Sequence, residues 1–299
     1  MNSPTIQIIA NMPSLRPSAL SSPYGNWTRI LKSYLFMLLQ IPVFSSAQAT
    51  VEPDAEQLVW LGQQIFQNEC NSNPACLTAW NAGEDFPSLG LGHFIWYRAG
   101  QQEIYTESFP ALLGYMQGKG VNPPDWITAA QSEQPWATRE DFLAAYEDDR
   151  LKELRSFLAA NMELQTAFIV NRFNLAFEHL LDGVPASEQQ ALANRFNAVA
   201  QADTPYGLYA LIDYGHFKGE GSNPDERYDG QGWGLLQVLQ GMPVNSSAPL
   251  EDFVQSARNI LAQRVANAPP ERIEQRWLQG WNNRLSTYLP AQGKTAVQE

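Results

Sequence analysis

Apolar positions recur at three- and four-residue intervals along most of this chain, the period of a helix with one buried face. Leu58, Leu61, Ile65 and Phe66 keep that spacing, so residues 54–69 are predicted as an amphipathic helix ending near Glu69. Residues 107–117 form another, broken by Asn122-Pro123-Pro124. Thr138 with Asp141 three residues later reads as a helix start, which Phe142, Leu143, Tyr146, Leu151, Leu154 and Leu158 continue. The next helix runs through Phe168, Phe173, Phe177 and Leu181 to Gly183. Ser187 and Gln190 suit a capping box for a helix reaching about Ala200. Further helices are expected over 205–218, 234–239, 249–266 and 270–288.

Between the first helix and Arg98 the helical period disappears. Gly, Asn and Pro accumulate there, and the run from Ser88 to Tyr97 suits a short hairpin. Residues 219–234 are Gly-rich and expected to be an irregular loop. About nine helices with one small hairpin make an α+β, predominantly α-helical domain over 50–290, followed by a frayed tail at 291–299.

The first 49 residues change the picture of where the protein works. They carry Arg16, Arg29 and Lys32 and no acidic residue. The apolar stretch Tyr34–Phe44, too short to span a bilayer, then leads to Ala47-Gln48-Ala49. A basic region, an apolar core and an A-x-A site predict a cleaved signal segment, hence a periplasmic or secreted protein. Its loss would move the formal net charge from −12 to −15. Such a chain repels nucleic acid and anionic lipid, and no second long apolar run predicts a membrane partner after the signal is removed.

Cys70 and Cys76 are the only cysteines, flanking Asn71-Ser72-Asn73-Pro74. Export and a turn-rich loop predict a local disulfide, two free thiols being the alternative. With three histidines and no paired spacing, neither a zinc site nor any other cofactor is expected.

The segment with most chemistry is Glu69, then Trp80-Asn81-Ala82-Gly83-Glu84-Asp85 and Ser88-Leu89-Gly90-Leu91-Gly92-His93. It resembles the phage-type lysozymes, in which a glutamate ends the first long helix and a hairpin ending in T-x-G-x-G-H closes one side of a sugar cleft. The resemblance implies a lysozyme-like fold, Glu69 as general acid, and Ser88 in place of the family's hydroxyl residue. It aligns Gly90, Gly92 and His93 with the Gly-x-Gly-His. The spacing from Glu69 to His93 exceeds the family's by about four residues, and the family's Asp falls near Asn81 or Ala82. Glu84 or Asp85 would then supply the second carboxylate.

The chemistry stands without the family. Glycoside cleavage needs a protonated carboxyl beside the leaving oxygen, and a helix end against apolar residues such as Ile65 and Phe66 desolvates one. A second carboxylate or a positioned water meets the oxocarbenium-like centre. Trp80, Trp96, Tyr97 and Trp126 are candidates to stack on sugar rings, whose faces are apolar, although tryptophans more often fill a core. Asn81, Gly90 and Gly92 are candidate substrate contacts, and His93 is expected to be a hydrogen-bonded structural histidine.

A second segment, Tyr209 to Pro224 followed by Gly232-Trp233-Gly234-Leu235-Leu236-Gln237, resembles the soluble lytic transglycosylases. Those carry a helix-ending Glu-Ser and, about fifteen residues on, Gly-Leu-Met-Gln. The resemblance implies Glu220 as a single acid and base and Gln237 as a contact; Gly221 stands where that family has Ser. One cleft with Glu69 and Glu220 on opposite walls would reconcile the two patterns. The expectation is an exported glycoside hydrolase acting on peptidoglycan or a related β-linked amino-sugar polymer. A lytic transglycosylase, or a non-catalytic glycan-binding or inhibitory protein, is the alternative.

Overall fold

A computed structural model describes residues 50–101, 106–129 and 133–291. The predicted signal segment, apart from its boundary, and the tail beyond residue 291 lie outside the described residues. The described chain is mostly helical, with a three-stranded and a two-stranded antiparallel sheet.

Helix α1 (Ala55–Cys70) begins at Asp54, whose side chain accepts from the Gln57 amide while Gln57 answers to the Asp54 amide. Leu61 and Ile65 are fully buried against α6 (Met162–Asp182), each stabilising by about 1.5–3 kcal/mol. Asn71 in the left-handed region ends α1 directly after the disulfide-forming Cys70.

The region expected to be a hairpin contains three strands, β1 (Thr78–Ala79), β2 (Ser88–Leu89) and β3 (Phe94–Ile95), in the order β1-β2-β3. The 3-10 turn Pro74–Leu77 brings β1 alongside β2. Then follow α2 (Phe109–Gly118), the short α3 (Asp125–Ala129), α4 (Arg139–Ala144) and α5 (Asp149–Ala160). The single helix expected from Thr138 to Leu158 is thus two, because Asp148 is extended and starts α5 anew.

Helix α7 (Ala186–Gln201) starts from Pro185, not from a Ser187 capping box, since the extended Pro185 already fixes the entry and leaves Ser187 inside the first turn. Helix α8 (Tyr206–Lys218) is buried continuously from Gly207 to Tyr214 and runs through the centre of the domain. The loop expected after it contains a hairpin, β4 (Arg227–Tyr228) and β5 (Gln231–Gly232). Asp229 and Gly230, both at positive φ, make its two-residue turn. Helices α9 (Leu235–Gly241), α10 (Pro249–Asn267) and α11 (Gln275–Ser286) complete the domain. The last is shorter than expected because Pro270–Arg272 turns as a 3-10 segment and Ile273 takes a left-handed φ of 49°. No helix among the described residues is long and apolar enough to cross a membrane.

Candidate active site

The turn between β2 and β3 is fixed from below by Gln165 of α6, which is wholly buried. Its side-chain oxygen accepts from the Leu91 amide at 2.7 Å, and its nitrogen donates to the Leu158 carbonyl at 2.6 Å. Gly90 has φ of 72°, and a Cβ there would lie 2.4 Å from the Gln165 oxygen, so both the backbone and the space demand glycine. The same turn carries His93, at φ of 48°, over the C-terminal end of α1.

His93 and Glu69 meet there. His93 Nδ1 lies 3.5 Å from Glu69 Oε2, and Arg284 of α11 donates through Nη2 to Glu69 Oε1 at 2.6 Å. Arg284 also grips Asp213 of α8 through Nε and Nη2, both at 2.8 Å, and Tyr288 donates to the same carboxylate at 2.6 Å. Asp213 is fully buried, so two strong donors replace the water it lost. Burial opposes the charge of Arg284, but Asp213 and Glu69 outweigh it and raise the guanidinium's pKa. Burial and then Asp213 likewise raise the phenols of Tyr209 and Tyr288 well above their ordinary value.

Cys70 and Cys76 form a disulfide, with Cα atoms 5.3 Å apart. Cys76 Sγ is 3.2 Å from His93 Nε2, so the imidazole stands between the disulfide and Glu69. The two sulfurs and His93 lie within 4.8 Å of one another, but sulfurs bonded to each other have no thiolate to offer a metal.

Of the two candidate second carboxylates, Glu84 reaches the sheet and Asp85 does not. Glu84 Oε2 accepts from Asn81 at 3.1 Å and from the Ser88 hydroxyl at 3.5 Å. Asp85 is exposed, and its backbone carbonyl accepts from Gln101. Ser88 pairs with Ile95 across β2 and β3, which puts both side chains on one face of the sheet.

Three of the four aromatic candidates are core, and the fourth, Trp126, is half-buried against it with Arg150 over its ring. Trp96 is fully buried among Phe109, Trp126 and Trp136. Trp80 packs edge-on to Phe142 and donates to the Glu84 carbonyl at 2.7 Å, while Tyr97 packs on Phe86. Trp80 and Tyr97 are also buried, so none of the three offers a face to a sugar.

A cavity of about 520 Å³ opens between the β2–β3 turn, α6 and the end of α8. Gly92, His93 and Ile95 form one wall, and His216, Gly219 and Glu220 another. Among the described residues the Glu220 carboxylate has no hydrogen bond or ion pair. Its backbone carbonyl accepts from the Leu236 amide, and Gln237 bridges the loop by accepting from Gly234 and donating to Gly221. A Cβ on Gly234 would lie 2.3 Å from the Gly221 nitrogen, so the start of α9 seats against Glu220 only because residue 234 is glycine. Glu226 is close by; burial and then the charge of Glu220 raise its pKa. His216 opens onto the cavity; desolvation of its ring, with the charges of Arg284 and His93 adding, lowers its pKa against the opposing pull of Glu69 and Asp213.

Sequence reasoning missed Arg284, Asp213 and His216. Asp213 had a signal: an acid inside the apolar run Tyr209–Tyr214 must be paired if that run is buried. Arg284 lies 215 residues from Glu69 and had none. Compared with protein-family models, curated proteins and solved structures, the chain matches none.

Proposed function

We propose that this protein is a glycan-cleaving enzyme of the lysozyme-like type, acting on peptidoglycan or a related β-linked amino-sugar polymer, with Glu69 as general acid. The observation that carries the reading is the meeting of Glu69 and His93: a carboxylate at the end of α1 stands beside the Gly-x-Gly-His turn whose other side lines an open cavity. Arg284 and His93 hold the carboxyl in one place beside the turn. The Ser88–Glu84 pair is the source of a base for the attacking water. His93 is a positioning residue in this account.

A second reading rests on a different feature. Glu220 faces the cavity with no partner among the described residues, and Gln237 clamps the loop that carries it, as a lytic transglycosylase using one carboxyl as both acid and base would need. The products separate the two. Digestion of peptidoglycan should generate new reducing ends if water is the acceptor, and anhydro-sugar ends if the intermediate closes on itself. Absence of both products from the folded protein would leave a binding protein and end the enzymatic reading.

A further inference from the structure

Just before Glu220 in the chain, the end of α8 carries a cation that no carboxylate among the described residues pairs with. Lys218 ends α8, one residue before Gly219 and two before Glu220, which line the cavity. Its Nζ lies 3.6 Å from the centre of the Trp281 ring and 4.0 Å from that of Phe217. Arg264 approaches the same Trp281 ring at 5.1 Å, and Arg284 the Phe217 ring at 4.3 Å. Three cations thus share two aromatic rings.

Two of the three are neutralised internally. Arg264 forms a forked pair with buried Glu274 at 2.8 and 3.0 Å, and Arg284 is held by Asp213 and Glu69. Among the described residues no carboxylate comes within 4.0 Å of Lys218. Desolvation first and the neighbouring Arg264 second, with Arg284 adding and Glu274 opposing, push the ammonium down to about 7. A flexible lysine stem ordinarily carries its charge into water, so an ammonium kept half-buried beside two arginines calls for an anion from outside. Trp277, one turn before Trp281 with ring centres 6.1 Å apart, is 37% exposed and carries the Arg276 guanidinium 4.6 Å from its ring centre.

We propose that Lys218, with Trp281 beneath it and Trp277 alongside, forms a subsite for a carboxylate-bearing sugar of the glycan. The inference rests on the glycan-cleaving reading and sharpens it. The chain is strongly acidic as a whole, which by itself favours neutral or cationic glycans, whereas this local cation selects an acidic one. The ammonium supplies a charge-assisted hydrogen bond to the carboxylate, and the exposed indole covers the apolar face of the ring.

The test is equilibrium binding by a Glu69→Gln, Glu220→Gln host that can turn over neither of two ligands of equal length. One is a neutral N-acetylglucosamine tetrasaccharide, the other the alternating N-acetylglucosamine–N-acetylmuramic acid tetrasaccharide with free lactyl carboxylates. The host is expected to prefer the acidic ligand by about tenfold, the worth of one charged contact. Lys218→Met should erase that preference with little effect on the neutral ligand, and Lys218→Arg should keep it. The preference should fade as pH rises above about 7, where Lys218 loses its proton while Arg264 and Arg284 stay charged and Glu274 stays anionic. Binding of both ligands with the preference intact in Lys218→Met would overturn the subsite alone. Binding of neither ligand by the folded host would overturn the glycan reading and the subsite with it.

Discussion

Arg284 donates to Glu69 Oε1 at 2.6 Å, joining the end of the first helix to the last helix of the domain. The same guanidinium is the counter-charge of fully buried Asp213, so the group that positions the proposed acid also neutralises a core carboxylate. Removing it should therefore damage folding as well as chemistry. Arg284→Met is expected to cost about 3–5 kcal/mol, the range for leaving a buried charge unpaired. Denaturant unfolding checks this, and a loss below about 1 kcal/mol would mean that Asp213 finds another partner.

Reduction of Cys70–Cys76 should act locally. A bridge closing so short a loop contributes about 1–3 kcal/mol, and its main effect should be on His93, which touches Cys76 Sγ. Imidazole resonances of His93, followed by NMR before and after reduction, should shift together with a small drop in melting temperature. Unchanged resonances would detach the disulfide from the site.

Glu84 and Asp85 are adjacent and should behave oppositely. Glu84→Gln removes the carboxylate that accepts from Ser88 and Asn81, and should slow turnover at least about tenfold without unfolding the protein. Asp85→Asn alters an exposed side chain and should leave turnover as it was. Ser88→Ala should resemble Glu84→Gln if the hydroxyl orients that carboxylate. Equal effects of Glu84→Gln and Asp85→Asn on initial rates would sink the assignment.

Glu274 predicts an acid limit to stability. Burial pushes its carboxyl up, but hydrogen bonds from Arg264, Tyr228 and Arg272 overcome this and hold it at about 2. A depressed folded-state pKa means that the stabilisation is complete above the ordinary Glu value and is lost as pH falls from there towards about 2. The loss should be about 1–3 kcal/mol once screening through exposed Arg272 is allowed for. Chemical denaturation from pH 5 to pH 2 should show that slope in the native protein and a weaker one in Glu274→Gln.

The helices were legible because their apolar stripes obey one period: α1, α8 and α10 lie within a residue or two of where the spacing puts them, and α6 ends beside Gly183 as expected. Boundaries set by single residues were harder to read. Asp148 divides α4 from α5, and Asp229-Gly230 makes a hairpin inside an apparent loop, although Asp-Gly is itself a hairpin signal. At the candidate site, Glu69 and His93 are marked by local spacing, whereas Arg284 and Asp213 join them only through tertiary packing. From sequence the tryptophans near the hairpin read more readily as core than as platform, and burial makes Trp80 and Trp96 core; among the described residues the exposed aromatic is Trp277, far along the chain.

The most direct test is the rate at which new glycan ends form from peptidoglycan in Glu69→Gln and Glu220→Gln, each matched to the wild type by folded concentration. With Glu69 as the general acid, Glu69→Gln is expected to lose at least about a hundredfold, the lower range for removing such a group, while Glu220→Gln keeps most of its activity. Full activity in Glu69→Gln with loss in Glu220→Gln would contradict that assignment and transfer the chemistry to Glu220.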